Sequence, residues 1–172
     1  LFKLCNSHKT YLITLKKLYS KLKYTPFGAE RAIESKLDEL LGLITVSESY
    51  LRKNQNMTMD EAIDQGVKCF RIADGAGMGF VMALGVSMWC AYEGPIPQDK
   101  TIAVLRRLHD GGIRRFYLAG SMGMEDPVMV SSLFRRAYKE FPGCEFGYHV
   151  HNLSGQGTAN VLAAVDAGAT FI

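Results

Sequence analysis

Cysteine pairs are missing from this sequence: Cys5, Cys69, Cys90 and Cys144 are spread along 172 residues with no C-x-x-C spacing among them. That spread argues against a zinc knuckle, a thioredoxin-type redox pair and a disulfide scaffold. The expected setting is reducing: the cytoplasm, with the mitochondrial matrix as the alternative. No apolar run reaches the roughly 18 to 20 residues of a membrane helix, and the longest candidate is broken by glycines, so a soluble chain without a membrane partner is expected. Acid is absent from the first 24 residues, which hold Lys3, Lys9, Lys16, Lys17, Lys21 and Lys23. With six of the 20 Lys+Arg there, the remainder carries 14 basic against 17 acidic residues, so the formal net charge of +3 does not describe the main body. A nucleic-acid partner for that body is not expected.

What is present is an ordinary globular composition, 48% hydrophobic, in a chain of single-domain length. Leu12, Leu15, Leu18, Tyr19 and Leu22 recur at helical spacing between lysines, so residues 1–24 read as a basic amphipathic segment, either a surface helix or a targeting or membrane-surface segment. From residue 26 onward short apolar runs alternate with helical patterns. Strands are expected over 40–46, 81–89, 116–119 and 146–151, with another beginning at Thr170. Helices are expected over 58–73, 97–109, 126–141 and 158–167. Thr58 with Glu61 makes a capping box, Asp126-Pro127 an N-cap followed by proline at N1, and Gly111-Gly112 a helix stop.

After the longer first interval the strands recur about every 30 residues, the length of a βα unit, and such alternation demands parallel strands covered by helices. Either a barrel or an open doubly wound sheet satisfies it. Gly75, Gly77 and Gly79 precede a strand instead of following one, which removes the dinucleotide-binding fingerprint.

His149-Val150-His151 closes an expected strand. Residues i and i+2 of a strand project to one side about 7 Å apart, so two imidazoles there are placed to share a metal ion, at the end of a parallel strand where sites are built. Alternatively one ring is a hydrogen-bonded core histidine and the other faces solvent. The loop 152–157 that follows, Asn-Leu-Ser-Gly-Gln-Gly, presents backbone N–H groups toward an anion or is a plain βα turn. Glu48, after the first strand, orients substrate or caps the loop leading to Asn56. Cys90, Tyr92 and Glu93 sit in a post-strand loop and make a pocket wall.

These motifs together resemble the 3-hydroxy-3-methylglutaryl-CoA lyase branch of the DRE-TIM metallolyases. The segments that carry the resemblance are 47–58 (Ser-Glu-Ser-Tyr-Leu-Arg-Lys-Asn-Gln-Asn-Met-Thr), 92–97 (Tyr-Glu-Gly-Pro-Ile-Pro), His149-Val150-His151-Asn152 with Gly155-Gln156, and 159–164 (Ala-Asn-Val-Leu-Ala-Ala). The resemblance runs from about residue 25 to the end. It implies an α/β fold, part of a (β/α)8 barrel from about strand 3 to strand 8, with residues 24–26 ending the third strand and the H-x-H on the seventh. A whole barrel needs about 250 residues, and the chain opens without Met and closes where a strand should begin, so a longer parent is expected.

The resemblance further implies a Mg²⁺ or Mn²⁺ cofactor, with Zn²⁺ less suited, held by His149 and His151. His149 would also be catalytic, and Ser121, Asn152 and Glu48 would bind an acyl-CoA substrate. The reaction implied is retro-Claisen cleavage to acetyl-CoA and a keto acid, and a homodimer is compatible with it. There are departures: Ala119-Gly120-Ser121 stands where the lyases have Gly-Asp-Thr, Asn152 replaces an Asp, Ser154 a Tyr, and the loop before Tyr92 is shorter. A condensing synthase of the isopropylmalate or citramalate kind, an amidohydrolase, and a non-catalytic fragment or paralogue are the alternatives. The isolated 172 residues are expected to be inactive.

Overall fold

The computed structural model describes residues 25–172 apart from Lys36; the basic segment 1–24 lies outside the described residues. The first described element is a helix, α1 (Pro26–Glu34). Thr25 opens it by accepting the Gly28 N–H, and Pro26 sits in the first turn, where its missing donor is harmless. Thr25-Pro26 therefore starts a helix, and any third strand must end before it.

There follow β1 (Glu39–Thr45), α2 (Glu48–Gln55), α3 (Met59–Gly75) and β2 (Gly79–Gly85). Next come a small antiparallel ribbon of β3 (Trp89–Cys90) and β4 (Gly94–Pro95), then α4 (Gln98–Asp110), β5 (Arg115–Gly120), α5 (Pro127–Glu140), β6 (Glu145–Val150) and α6 (Gly157–Asp166). The helix starts obey the sequence signals: Thr58 and Glu61 form the full capping box, and the Asp126 side chain accepts the Met129 N–H ahead of Pro127. Gly112, at φ +106°, supplies the left-handed turn after α4.

Two further elements differ from expectation. Residues 48–55 form a helix instead of a loop, capped by Ser47, which accepts the Tyr50 N–H. The strand expected over 81–89 stops at Gly85, because Val86 turns to φ +49° and its N–H is taken by the Ser121 hydroxyl at 2.9 Å.

The main sheet is four-stranded and parallel in the order β1-β2-β5-β6. Each strand is added beyond the last with no reversal. Right-handed crossovers then put every covering helix on the same face, whereas a doubly wound sheet reverses its order at a switch point.

The packing agrees with this one-sided cover. Phe80, Met82 and Leu84 of β2, Phe116 and Leu118 of β5, and Phe146 and Tyr148 of β6 share one core with Ile63, Leu105, Leu133 and Phe134 of the helices. Tyr138 packs edge-on to Phe146 at 5.0 Å and Phe134 to Tyr148 at 6.0 Å. Each fully buried Leu or Phe contributes roughly 1.5–3 kcal/mol.

The alternate residues form the other face. At its lower end Arg115 pairs with both Glu39 and Glu145, and above them Tyr117 packs edge-on to Phe171 at 4.7 Å. Phe171 bridges in parallel to Gly147, beginning one more strand. Helices outside and a charged-to-aromatic inner face make this the wall of a partial (β/α)8 barrel built on β1, β2, β5 and β6.

Candidate metal and substrate site

The C-terminal ends of the four parallel strands gather the chemistry. His149 is the penultimate residue of β6 and points to the inner face with Tyr117, whose ring lies 6.3 Å away. His151 follows the strand, and its ring centroid is 5.2 Å from that of His149. The two rings share one side of the strand, and both residues are exposed. Partial desolvation of the ring against its neighbours, and then the charge of His151, hold His149 below the ordinary histidine value, which favours the neutral imidazole. Such a ring offers a lone pair to a divalent ion, and two on one side at this spacing suit a metal. Among the described residues no group of three or more His, Cys, Asp and Glu converges on one ion position.

The remaining expected site residues are placed as follows. Ser121 follows β5, half-buried, and its oxygen accepts the Val86 N–H while its own proton is left to donate. Asn152 turns its Oδ1 to the Gly157 N–H at 2.7 Å, which anchors the start of α6. A Cβ on Gly157 would press on the Asn152 side chain at 2.8 Å, so glycine permits this approach. Asn152 therefore braces the loop, with its amide NH₂ remaining as a donor. Glu48 lies exposed in the first turn of α2.

The carboxylate that organises that corner is Glu93. Its Oε1 accepts the Ser47 hydroxyl at 2.6 Å and the Ser49 N–H at 3.0 Å, and Lys100 Nζ stands 2.9 Å from Oε2. Burial works to raise its pKa, but the donors from Ser47, Lys100 and Ser49 prevail and bring it down to about 2. Behind Ser47 lies the Cys90 thiol, donating to it at 3.1 Å, and Tyr92 N–H reaches that sulfur at 3.4 Å. The β3–β4 ribbon thereby holds Tyr92 beside Tyr50, with Lys53 Nζ 4.1 Å over its ring.

A second carboxylate was invisible to sequence spacing. Glu125, on the loop after β5, is fully buried and accepts the Tyr148 hydroxyl at 2.8 Å. Burial, and then the adjacent Glu125, push the Tyr148 phenol far up, so it remains a donor.

Known proteins resemble this chain in sequence and in fold. The HMGL-like family model covers residues 12–172. The chain is 26% identical to a hydroxymethylglutaryl-CoA lyase of Bacillus subtilis over 152 residues, which is 88% of this chain and 51% of that protein. It is 30% identical to a homocitrate synthase of Sulfurisphaera tokodaii over 144 residues, 83% of this chain and 30% of that one. Among solved structures, an HMG-CoA lyase from Acinetobacter baumannii in complex with coenzyme A and 3-methylmalate superposes with a TM-score of 0.79 at 25% identity, covering 86% of this chain and 48% of that one. The chain thus spans about half the length of the lyases it matches. With the family model matched over nearly its whole length and the partial barrel in place, this chain belongs to the HMGL-like family.

Proposed function

We propose that the protein is a divalent-metal-dependent carbon–carbon lyase acting on a 3-hydroxyacyl-CoA of the 3-hydroxy-3-methylglutaryl-CoA kind, and that this chain supplies part of its mouth. The observation that carries the reading is the pair of exposed imidazoles, His149 and His151, 5.2 Å apart on the same side at the end of β6. They would hold Mg²⁺ or Mn²⁺, which when bound supplies Lewis acidity toward substrate oxygens and a template for their placement.

The chain's own residues do the rest. His149, packed against Tyr117, is the inner ring of the pair and is assigned the catalytic place beside the substrate hydroxyl. Ser121, with its oxygen occupied by the Val86 N–H, directs its proton to a substrate oxygen, and the Asn152 amide donates from the neighbouring β6–α6 loop. Glu48 is proposed to contact substrate from the first turn of α2. A base takes the hydroxyl proton, the adjacent C–C bond breaks with its electron pair passing to the departing acyl-CoA as an enolate, and a proton returned to that carbon gives acetyl-CoA beside a keto acid.

Three buried thiols, Cys69, Cys90 and Cys144, suit the reducing compartment proposed here, the cytoplasm. No described helix is long and apolar enough to cross a membrane. A second reading, Claisen condensation on the same scaffold, is favoured by the likeness to homocitrate synthase. Incubating the protein at its natural length with Mn²⁺ and either 3-hydroxy-3-methylglutaryl-CoA or acetyl-CoA plus a keto acid separates the two. Cleavage releasing acetyl-CoA, abolished in the His149→Ala/His151→Ala double variant, supports the lyase. Consumption of acetyl-CoA supports the synthase, and turnover unchanged in the double variant defeats both.

A further inference from the structure

We infer that Glu125 is a positioning residue for the mouth: its buried carboxylate, seated over Gly120 and held by the Tyr148 hydroxyl, fixes the loop carrying Ser121 against the loop carrying His151 and Asn152. The inference rests on the reading of these two loops as the site.

Glu125 has no exposed surface, and among the described residues it enters no ion pair. A carboxylate placed there without a cation carries a large desolvation cost, so filling space does not account for it. What it does have is a set of directed bonds. Oε1 accepts the Tyr148 hydroxyl at 2.8 Å and Oε2 the Met124 N–H at 3.1 Å, while the backbone oxygen accepts Asn160 Nδ2 at 2.8 Å. One residue thereby joins the β5–α5 loop to strand β6 and to helix α6.

On its other side the same loop lies directly on the β6–α6 loop. Gly123 takes φ +60°, and a Cβ there would stand 2.7 Å from Leu153 N and 2.9 Å from His151 O. The Ser154 N–H closes the contact on Gly123 O at 3.1 Å. Tyr148 immediately precedes His149 in β6, its side chain on the helix face while His149 takes the inner face. A displacement of Glu125 thus acts on the histidine pair by two routes, through Tyr148 along the strand and through Gly123 onto His151. Gly120 is part of the device, since any side chain there would occupy the space of the Glu125 carboxylate.

The test uses the protein at its natural length in three forms: unaltered, Glu125→Ala, and Glu125→Gln, which keeps the shape and one acceptor. Mn²⁺ affinity is measured by electron paramagnetic resonance, and amide hydrogen exchange is followed over residues 121–124 and 151–155. Both are read at a temperature where circular dichroism shows all forms folded. Glu125→Ala is expected to weaken Mn²⁺ binding about tenfold to a hundredfold, as loss of an outer hydrogen-bond partner does at metal sites. It should also speed exchange in both loops, with Glu125→Gln restoring the larger part. A folded Glu125→Ala with unaltered affinity and exchange would overturn the inference.

Should the alanine form not fold, Tyr148→Phe removes only the hydroxyl and is read in the same way; unchanged affinity and exchange there would equally overturn it. If the unaltered protein binds no Mn²⁺, the metal reading fails and exchange alone decides. Faster exchange in both loops then supports the role of Glu125, and unchanged exchange refutes it.

Discussion

Glu125 Oε1 occupies the space that a side chain on Gly120 would need. The Tyr148 hydroxyl would also stand only 2.7 Å from a Cβ at that position, and Glu125 is bound to this same hydroxyl. Neither partner is at liberty to move aside without losing a buried hydrogen bond. Gly120→Ala is therefore expected to destabilise the protein by about 1–3 kcal/mol, the cost of overpacking. Combined with Glu125→Ala it should cost less than the two single changes added together. Urea unfolding of the three variants checks this; strict additivity would show that the two positions do not compete for space.

Ser121 serves the fold as well as the site. Its oxygen is the acceptor for the N–H of buried Val86, a residue held at φ +49°. Ser121→Ala leaves that N–H without its acceptor and should cost about 1–3 kcal/mol, visible as a lowered Tm. Ser121→Cys, which keeps a weak acceptor, should lose less. An unchanged Tm for the alanine variant would show that water or another group satisfies Val86.

Glu93 sets an acid limit. Its pKa, about 2 in the folded protein against an ordinary 4.5, is depressed by the donors Ser47, Lys100 and Ser49 acting against burial. A depressed carboxylate contributes stability that is fully present above its unfolded value and is lost as pH falls toward the folded one. The stability curve of the protein should therefore drop between about pH 4.5 and pH 2, and Glu93→Gln should flatten that part of it. Chemical unfolding across this range measures it, and an equally steep curve in the variant would assign the acid transition to other groups.

Much of the fold is legible in the sequence because its signals are local. The capping box of Thr58 and Glu61, the Asp126-Pro127 start and the glycine stop after α4 each lie within a few residues. The apolar runs of β1 and β2 mark strands of a parallel sheet, β2 being buried from Phe80 to Gly85. The H-x-H pair is legible for the same reason, since the alternation of a strand alone puts both rings on one side.

What escapes is either polar or distant. Helix α2 has a single buried residue, Leu51, in an otherwise polar run, too little apolar periodicity to announce a helix. The end of β2 is marked by the bond from Val86 to Ser121, 35 residues onward, while Val86, Met88 and Trp89 continue the apolar pattern in sequence. Glu93 meets Ser47 across 46 residues and Glu125 meets Tyr148 across 23. Neither carboxylate has a spacing that reveals its partner, and Glu48, the nearer acid to the first corner in sequence, is left exposed by the fold.

The central claim is that His149 and His151 hold one divalent ion. Titrating Mn²⁺ into the natural-length protein, unaltered and as His149→Ala, His151→Ala and His109→Ala, tests it most directly. His109 serves as control because it sits on α4 against Phe141, away from the strand ends. The account predicts saturable binding in the unaltered protein and the His109 variant. Each of the other two should weaken it by more than about a hundredfold, beyond what loss of an outer partner does. Equal affinity in all four proteins would contradict it.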